Sequence, residues 1–411
     1  MTPSRDASAR TLKYAQKSEA LLAAAALLFN QRGVKGATLS DVAAHVGLAK
    51  NSITYYYRKK EDLATACFLR AIEDYHRIVD LAAAQPSVAE RVRALFRQLA
   101  MRLAAIEAGT QPALMLFYDL RALPQPQIDQ VFTAYTDMFR RIRDLLRGPE
   151  TAALSRNERN ARGHLLLSTL NNLRAWLQRH EPHEYGRIAE RAADILLHGM
   201  AGPASIWHDQ GAERQWVLGS DTDMAPGSFL RSATELINEQ GYRGASVTRI
   251  SERLHLTKGA FYARHDAKDD LVTLCFDRSF EIMRQALTLS QSAPGTGWDQ
   301  LCTVTRGLVR LQLSDGGPLL RLTAISALPD PVQRARIRET TGRLTERMAS
   351  LVVEGVMQGS VRPLDASLAA QIALCGINAA AELMRWSAHA NADSAVALYA
   401  KPLLLGLLHQ D

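Results

Sequence analysis

The sequence predicts an all-α protein built from two tandem copies of one helical unit. Three observations carry this. Ala, Leu, Arg, Glu and Gln dominate, strand signals are scarce, and apolar residues recur at spacings of three and four. A seventeen-residue phrase occurs twice, as GLAKNSITYYYRKKEDL at Gly47–Leu63 and as HLTKGAFYARHDAKDDL at His255–Leu271. Leu271 minus Leu63 is 208, Gly241 minus Gly33 is also 208, and the 411 residues are close to two such lengths.

Each copy opens with a helix that ends in glycine, LLAAAALLFNQRG to Gly33 and FLRSATELINEQG to Gly241. A short helix follows. In the first copy Thr38 caps it and Asp41 completes a capping box; in the second Ser246 caps it, with Arg249 where the acid would be. Val42, Ala43 and Val46, and in the second copy Ile250 and Leu254, fall on the inward face. A turn at Gly47 or His255 leads into a second short helix, Lys50–Tyr56 or Lys258–Arg264. The repeat continues through LATACFLR (Leu63–Arg70) and LVTLCFDR (Leu271–Arg278), and through RALPQP and SALPDP, where Ala327 minus Ala122 is 205. Trp176 and Trp386 each mark an amphipathic helix near the end of a copy. The last two helices of each copy, about 157–179 with 184–197 and 367–387 with 394–408, are expected to pack as a four-helix bundle. Helix breakers at both ends set off 202–227 as a linker that Trp207 and Trp216 dock onto the body. The expected division is 1–66, 67–201, linker 202–227, 228–274 and 275–411.

A net charge of +7 suits a polyanionic partner without requiring one. Cys67, Cys275, Cys302 and Cys375 form no CxxC pair and sit in apolar segments, which reads as buried free thiols of a cytoplasmic protein. Residues 1–17 lack the apolar core of a secretion signal, and no apolar run reaches the roughly 18 residues that span a bilayer. His180–Glu184, HEPHE, is broken by Pro182 and lacks the helical spacing of a metal site. No catalytic triad order or phosphate-binding glycine loop is found, so no enzyme activity, cofactor or metal is expected.

Helix, glycine turn and a helix with small or polar outward residues form the helix-turn-helix pattern, whose second helix enters a major groove about 12 Å wide. Asn51, Ser52 and Thr54 suit that face, as do Gly259 and Ala260. Lys50 with Lys60, and Lys258 with Lys268, are placed to meet phosphates on either side. The wording resembles the DNA-binding region of the tetracycline-repressor (TetR/AcrR) family of transcriptional regulators. The first copy matches at Thr38, Leu39, Val42, Ala43, Gly47, Leu48, Lys50, Ile53, Tyr56, Lys60, Glu61, Asp62 and Leu63. The second matches at Val247, Ile250, Leu256, Thr257, Lys258, Gly259, Phe261, Tyr262, Lys268, Asp269, Asp270 and Leu271. Departures are Ala49 at the usual capping Ser or Thr, Asn51 for Gly, Thr54 for Tyr, His255 at the turn, and Ala263–Arg264–His265 for the polar-aromatic run.

The resemblance implies a repressor released by a small-molecule effector, binding double-stranded operator DNA. One chain would act as a covalent pseudo-dimer on an imperfect palindrome, and further pairing of chains stays open. The implied DNA-binding residues are Thr38, Lys50, Asn51, Ser52, Thr54, Tyr55, Tyr56 and Lys60 in the first copy. In the second they are Ser246, Thr257, Lys258, Gly259, Ala260, Tyr262, Arg264 and Lys268. Arg5, Arg10, Lys13 and Lys17 form a basic arm read either as a backbone contact or as a solubilising tail. The implied effector pocket draws on Phe96, Met115, Tyr118, Phe132, Tyr135 and Trp176; the second copy, with Leu319, Leu322 and Ile325 there, reads as a pocket filled or lost. The alternative is a ligand- or partner-responsive scaffold whose second helix-turn-helix no longer reads DNA.

Overall fold

The computed structural model describes residues 5–219, 226–245, 247–253, 268–328 and 330–410. Among them the chain is helical, with one isolated β-bridge between Ala201 and Val361. The first half contributes α1 (Arg5–Gly36), α2 (Leu39–His45), α3 (Lys50–Tyr56), α4 (Lys60–Ala83), α5 (Val88–Glu107), α6 (Gln127–Asp144), α7 (Arg156–Leu177) and α8 (Tyr185–His198). The second half contributes α9 (Pro226–Gly244), α10 (Val247–Arg253), α11 (Lys268–Ser292), α12 (Gly297–Gln312), α13 (Pro331–Met357), α14 (Ala366–Ala379), α15 (Leu383–Trp386) and α16 (Lys401–Leu405). The basic arm is no separate tail: Arg5, Arg10, Lys13 and Lys17 all fall within the helical span of α1.

The halves share more than sequence: they repeat the same hydrogen bonds. Asn30 Nδ2 donates to Leu114 O at 2.7 Å and its Oδ1 accepts from Leu116 N at 2.9 Å. Asn238, 208 residues later, donates to Leu319 O at 2.9 Å and accepts from Arg321 N at 3.0 Å. Cys67 Sγ reaches Leu22 O and Cys275 Sγ reaches Leu230 O, both at 3.6 Å. Gly33 and Gly241 kink their helices at nearly identical angles, φ 70° and 71°. Each asparagine ties the first helix of its copy to an extended segment through one carbonyl and one N–H of that segment. The two copies therefore share one local architecture.

Two compact units emerge. One comprises Met1–Arg77 with Ala105–Met138, the other Ile78–Ala104 with Phe139–Asp411. In the first, the aromatic rings of Phe68, Tyr75 and Tyr135 surround Phe117, with centroids 5.0–6.3 Å away. Burial, with Tyr135 and Tyr118 nearby, pushes the Tyr75 phenol well above its ordinary pKa.

In the second unit the last helices of both halves pack together: α14 lies against α7 and α8, and α16 against α8. Gly199 and Gly406 cross in near-reciprocal fashion. A Cβ on Gly199 would sit 2.3 Å from Leu404 O, and one on Gly406 would sit 2.4 Å from Leu197 O, so only glycine permits the crossing. The expected bundle is present, but its second pair is interrupted. A 3₁₀ turn at Ala380–Glu382 separates α14 from α15, and a π-turn at Val396–Ala400 precedes α16. Pro402 supplies a reason for the π-turn, since it has no N–H for an α-helical bond and its ring crowds the preceding turn. The stretch 366–386 is long and apolar enough to cross a membrane, contrary to the expectation that no run is, yet α14 is packed by α7, α8, α12 and α13.

A polar cluster sits inside this packing. Asn160 Nδ2 donates to Trp386 O at 2.8 Å, the buried Arg162 guanidinium donates to Leu407 O, and Tyr399 OH lies 3.2 Å from His164 Nδ1. Burial raises the Tyr399 phenol well above 10, so its hydroxyl stays protonated. Burial pulls His164 down to about 4; Glu382, 3.9 Å away, opposes this, and Arg321 and Arg385 reinforce it.

The segment 202–219 is not a loose tether. Trp298 Nε1 donates to Ile206 O at 3.0 Å, and Trp216 lies so close to Gly307 that a Cβ there would be 2.6 Å from its ring. Glu213 and Arg306, with side chains only 1% and 5% exposed, form a two-pronged ion pair at 2.9 and 3.1 Å. Arg306 also donates to His208 O at 2.9 Å and lies 5.5 Å from the centroid of the Trp207 ring.

Candidate nucleic-acid interface

The first helix-turn-helix is built by local chemistry. Thr38 Oγ1 accepts from Asp41 N at 3.1 Å while Asp41 Oδ2 accepts from Thr38 N at 2.8 Å, closing both ends of the capping box. The Thr38 hydroxyl and backbone hold the Asp41 carboxyl below its usual pKa, with Arg32, 3.8 Å away, adding to the effect. At the other end of α2, Leu48 N donates to Ala43 O at 2.8 Å and Gly47 N to Ala44 O at 3.2 Å. Gly47 takes φ 68°, the left-handed conformation that this helix ending demands.

α3 then starts at Lys50 behind Ala49, which makes no side-chain cap. The missing cap is the cost that the sequence signalled at this position. Ile53 is fully buried and anchors the helix. Asn51, Ser52, Thr54 and Tyr55 are exposed, Tyr55 to 76%, and Tyr56 is half-buried with its ring edge-on to Tyr55 at 5.3 Å. Thr54 Oγ1 donates to Asn51 O at 2.8 Å, a bond that occupies the Asn51 backbone carbonyl and not its side-chain amide. The arrangement offers donors, acceptors and an aromatic ring on one face of a short helix, which is what reading base edges requires.

Two expected contacts are placed differently. The Thr38 hydroxyl is committed to its cap. Lys60, half-buried, donates through Nζ to Lys35 O at 3.3 Å and so satisfies a carbonyl in the last turn of α1. Arg58 and Lys59, beside it and both exposed, were overlooked in the sequence; the basic run Arg58–Lys60 was the available signal. The Lys50 side chain is outside the described residues.

In the second copy, Ser246, Thr257, Lys258, Gly259, Ala260, Tyr262 and Arg264 lie outside the described residues, as does the Lys268 side chain. What is described is α10, with Ile250 fully buried. Arg253 is held by Glu239 at 2.8 Å and Glu235 at 3.0 Å, and Arg249 by Gln240 at 2.8 Å.

The expected pocket residues divide between the units. Met115 is buried in the first unit, with Tyr118, Phe132 and Tyr135 half-buried there, whereas Phe96 and Trp176 are buried in the second. The second copy holds a separate apolar cavity whose walls include Phe276, Phe280, Met283, Leu319, Leu322 and Ile377. At about 10 Å³ it is nearly closed, too small for more than a single water.

The family model of bacterial regulatory proteins, tetR family, matches residues 21–67 and again residues 229–275. The transposon Tn10 TetC protein of Escherichia coli is 23% identical over 133 residues, covering 32% of this chain and 67% of that protein. Among solved structures, the TetR-family transcriptional regulator PfmR from Thermus thermophilus matches at 20% identity with a TM-score of 0.36, covering 44% of this chain and 98% of that one. AibR, solved in complex with isovaleryl coenzyme A and operator DNA, matches at 18% identity with a TM-score of 0.37, covering 43% and 96%. TetR-family members are DNA-binding transcriptional regulators. With one family match on each repeat, the chain carries the N-terminal domain of the tetR family of bacterial regulatory proteins twice.

Proposed function

We propose that the chain is a transcriptional repressor that reads an imperfect palindrome of double-stranded DNA as a covalent pseudo-dimer and leaves it when a small molecule binds. The outward face of α3 carries this reading: Asn51, Ser52, Thr54 and Tyr55 exposed around the buried anchor Ile53. α3 reads one half-site, with Arg58, Lys59 and Lys50 on flanking phosphates, and Thr257–Arg264 reads the other. The half-site centres are about 34–36 Å apart or slightly more. The effector binds among Met115, Tyr118, Phe132 and Tyr135 of the first unit and shifts the population toward an arrangement in which the two reading helices no longer match that spacing.

Charge reversal tests this on DNA selected by the unaltered chain. Lys50→Glu and Lys258→Glu, made separately, should each weaken binding and flatten its salt dependence. Loss with Lys50→Glu alone assigns reading to the first copy only. If neither change matters, the proposal is wrong.

A further inference from the structure

The bundle in which α7 and α8 meet α14 and α16 is roughly two-fold in backbone, as the reciprocal crossing of Gly199 and Gly406 shows. Its buried polar side chains do not follow that two-fold. The caps Ser155 and Asp365 and the residues Trp176 and Trp386 place α7 and α14 in a register of 210, and the two glycines place the final helices in a register of 207. In those registers His164 corresponds to Leu374, Asn160 to Ala370, Arg162 to Ile372, and Tyr399 to Ala192.

These differences decide which surfaces fit. Tyr399 is fully buried, and its hydroxyl meets His164, with Ser168 beside it, of the opposite half. Were two second halves to pair, that hydroxyl would face Leu374 and lose its bond to the imidazole. The carbonyls of Trp386 and Leu407 would also lose the donors that Asn160 and Arg162 now supply. Were two first halves to pair, His164 would face Ala192, leaving a void in place of a tyrosine ring and an imidazole without its partner. Buried polar groups stripped of partners and cavities of that size are both strongly unfavourable.

We infer that the α7 face of the first half and the C-terminal segment of the second half are mutually specific. This surface takes the other half of the same chain and rejects a like half from a second chain. The inference extends the pseudo-dimer reading above. A rival account is that the faces are indifferent and the covalent link alone keeps them together by raising their effective concentration.

The test uses the full chain without DNA, so its outcome is independent of whether the chain regulates transcription. Asn157 and Ala388 are both exposed, and the Asn157 amide is 3.5 Å from Ala388 O. N157C/A388C provides a pair that a short bismaleimide bridges only when unlike halves meet. The chain is unfolded, then refolded at about 1 mM, near the effective concentration of a tethered partner, where the link gives little advantage. Every product is expected to be bridged between unlike halves, within one 45.3 kDa chain or crosswise between two. Adding H164L and Y399A, which give each half the other's residue at both positions, should yield two-chain species that are not bridged. Y399F, which keeps the ring and removes only the hydroxyl, guards against misfolding of that variant and should give fewer of them. Unbridged two-chain species from the unaltered faces, in which like halves meet, would overturn the inference, and so would the absence of any bridge. Symmetrised variants that stay as fully bridged as the parent would overturn it too.

Discussion

Removing the Glu213 carboxylate should destabilise the second unit far more than removing a similar carboxylate on the equivalent face of the first half. Arg306 is 5% exposed and Glu213 1%, and Glu213 contributes two of the hydrogen bonds that the guanidinium makes. Glu213→Ala leaves that guanidinium buried and uncompensated, a situation that costs about 3–5 kcal/mol. In a unit of this size each kcal/mol lowers Tm by roughly 2 °C, so the expected drop is roughly 6–10 °C. The repeat supplies its own control. The capping boxes Ser87–Glu90 and Thr296–Asp299 set a register of 209 between α5 and α12, which makes Arg97 the counterpart of Arg306. Arg97 is paired with Glu190 at 2.9 Å, but the two side chains are 52% and 36% exposed. Glu190→Ala should therefore cost at most about 1 kcal/mol. Scanning calorimetry of the two variants beside the parent decides the matter. Equal shifts, or a Glu213→Ala shift under about 1 °C, would refute the claim that the segment 202–219 is part of the core of the second unit.

Other expected outcomes follow from single sites. Thr38→Ala opens the capping box of α2 and should cost about 1 kcal/mol, read by thermal unfolding. Ile53→Ala removes the buried anchor of α3 and should cost about 2–5 kcal/mol; DNA affinity should fall with it, whereas a change under about 0.5 kcal/mol would mean α3 is not held this way. His164 has its folded pKa depressed from 6.5 to about 4, so its contribution is fully present above pH 6.5 and is lost as pH falls toward 4. The loss amounts to about 3 kcal/mol, and the stability–pH curve of His164→Leu should lack that segment. Burial pushes the Cys67, Cys275 and Cys375 thiols up to about 12 and that of Cys302 higher still. All four should resist maleimide labelling at about pH 8 until the chain is unfolded.

The parts of this structure that local chemistry determines were legible in the sequence. The Thr38–Asp41 box, the left-handed Gly47, the uncapped Ala49 and the paired kinks at Gly33 and Gly241 each depend on residues within a few positions of one another. Long-range pairing was not legible. Nothing near Asn30 or Asn238 in sequence announces the segments, about 85 residues away, that they tie down. Glu213 reads as an ordinary linker acid until α12 brings Arg306 to it, although two tryptophans in that stretch hinted at docking. At the candidate interface, residue type anticipated the exposure of Asn51, Ser52, Thr54 and Tyr55. It did not anticipate the bond of Lys60, read by family position as a phosphate contact, to a helix carbonyl.

The central claim is that one chain, through two unlike copies, reads one operator. The most direct test is selection of bound sequences from randomised DNA by the purified chain, followed by the mass of the complex on the enriched duplex. A two-part site with unequal halves, occupied by a single 45.3 kDa chain, is the predicted result. A symmetric site occupied by two chains, or no enriched site with or without candidate effectors, would contradict it.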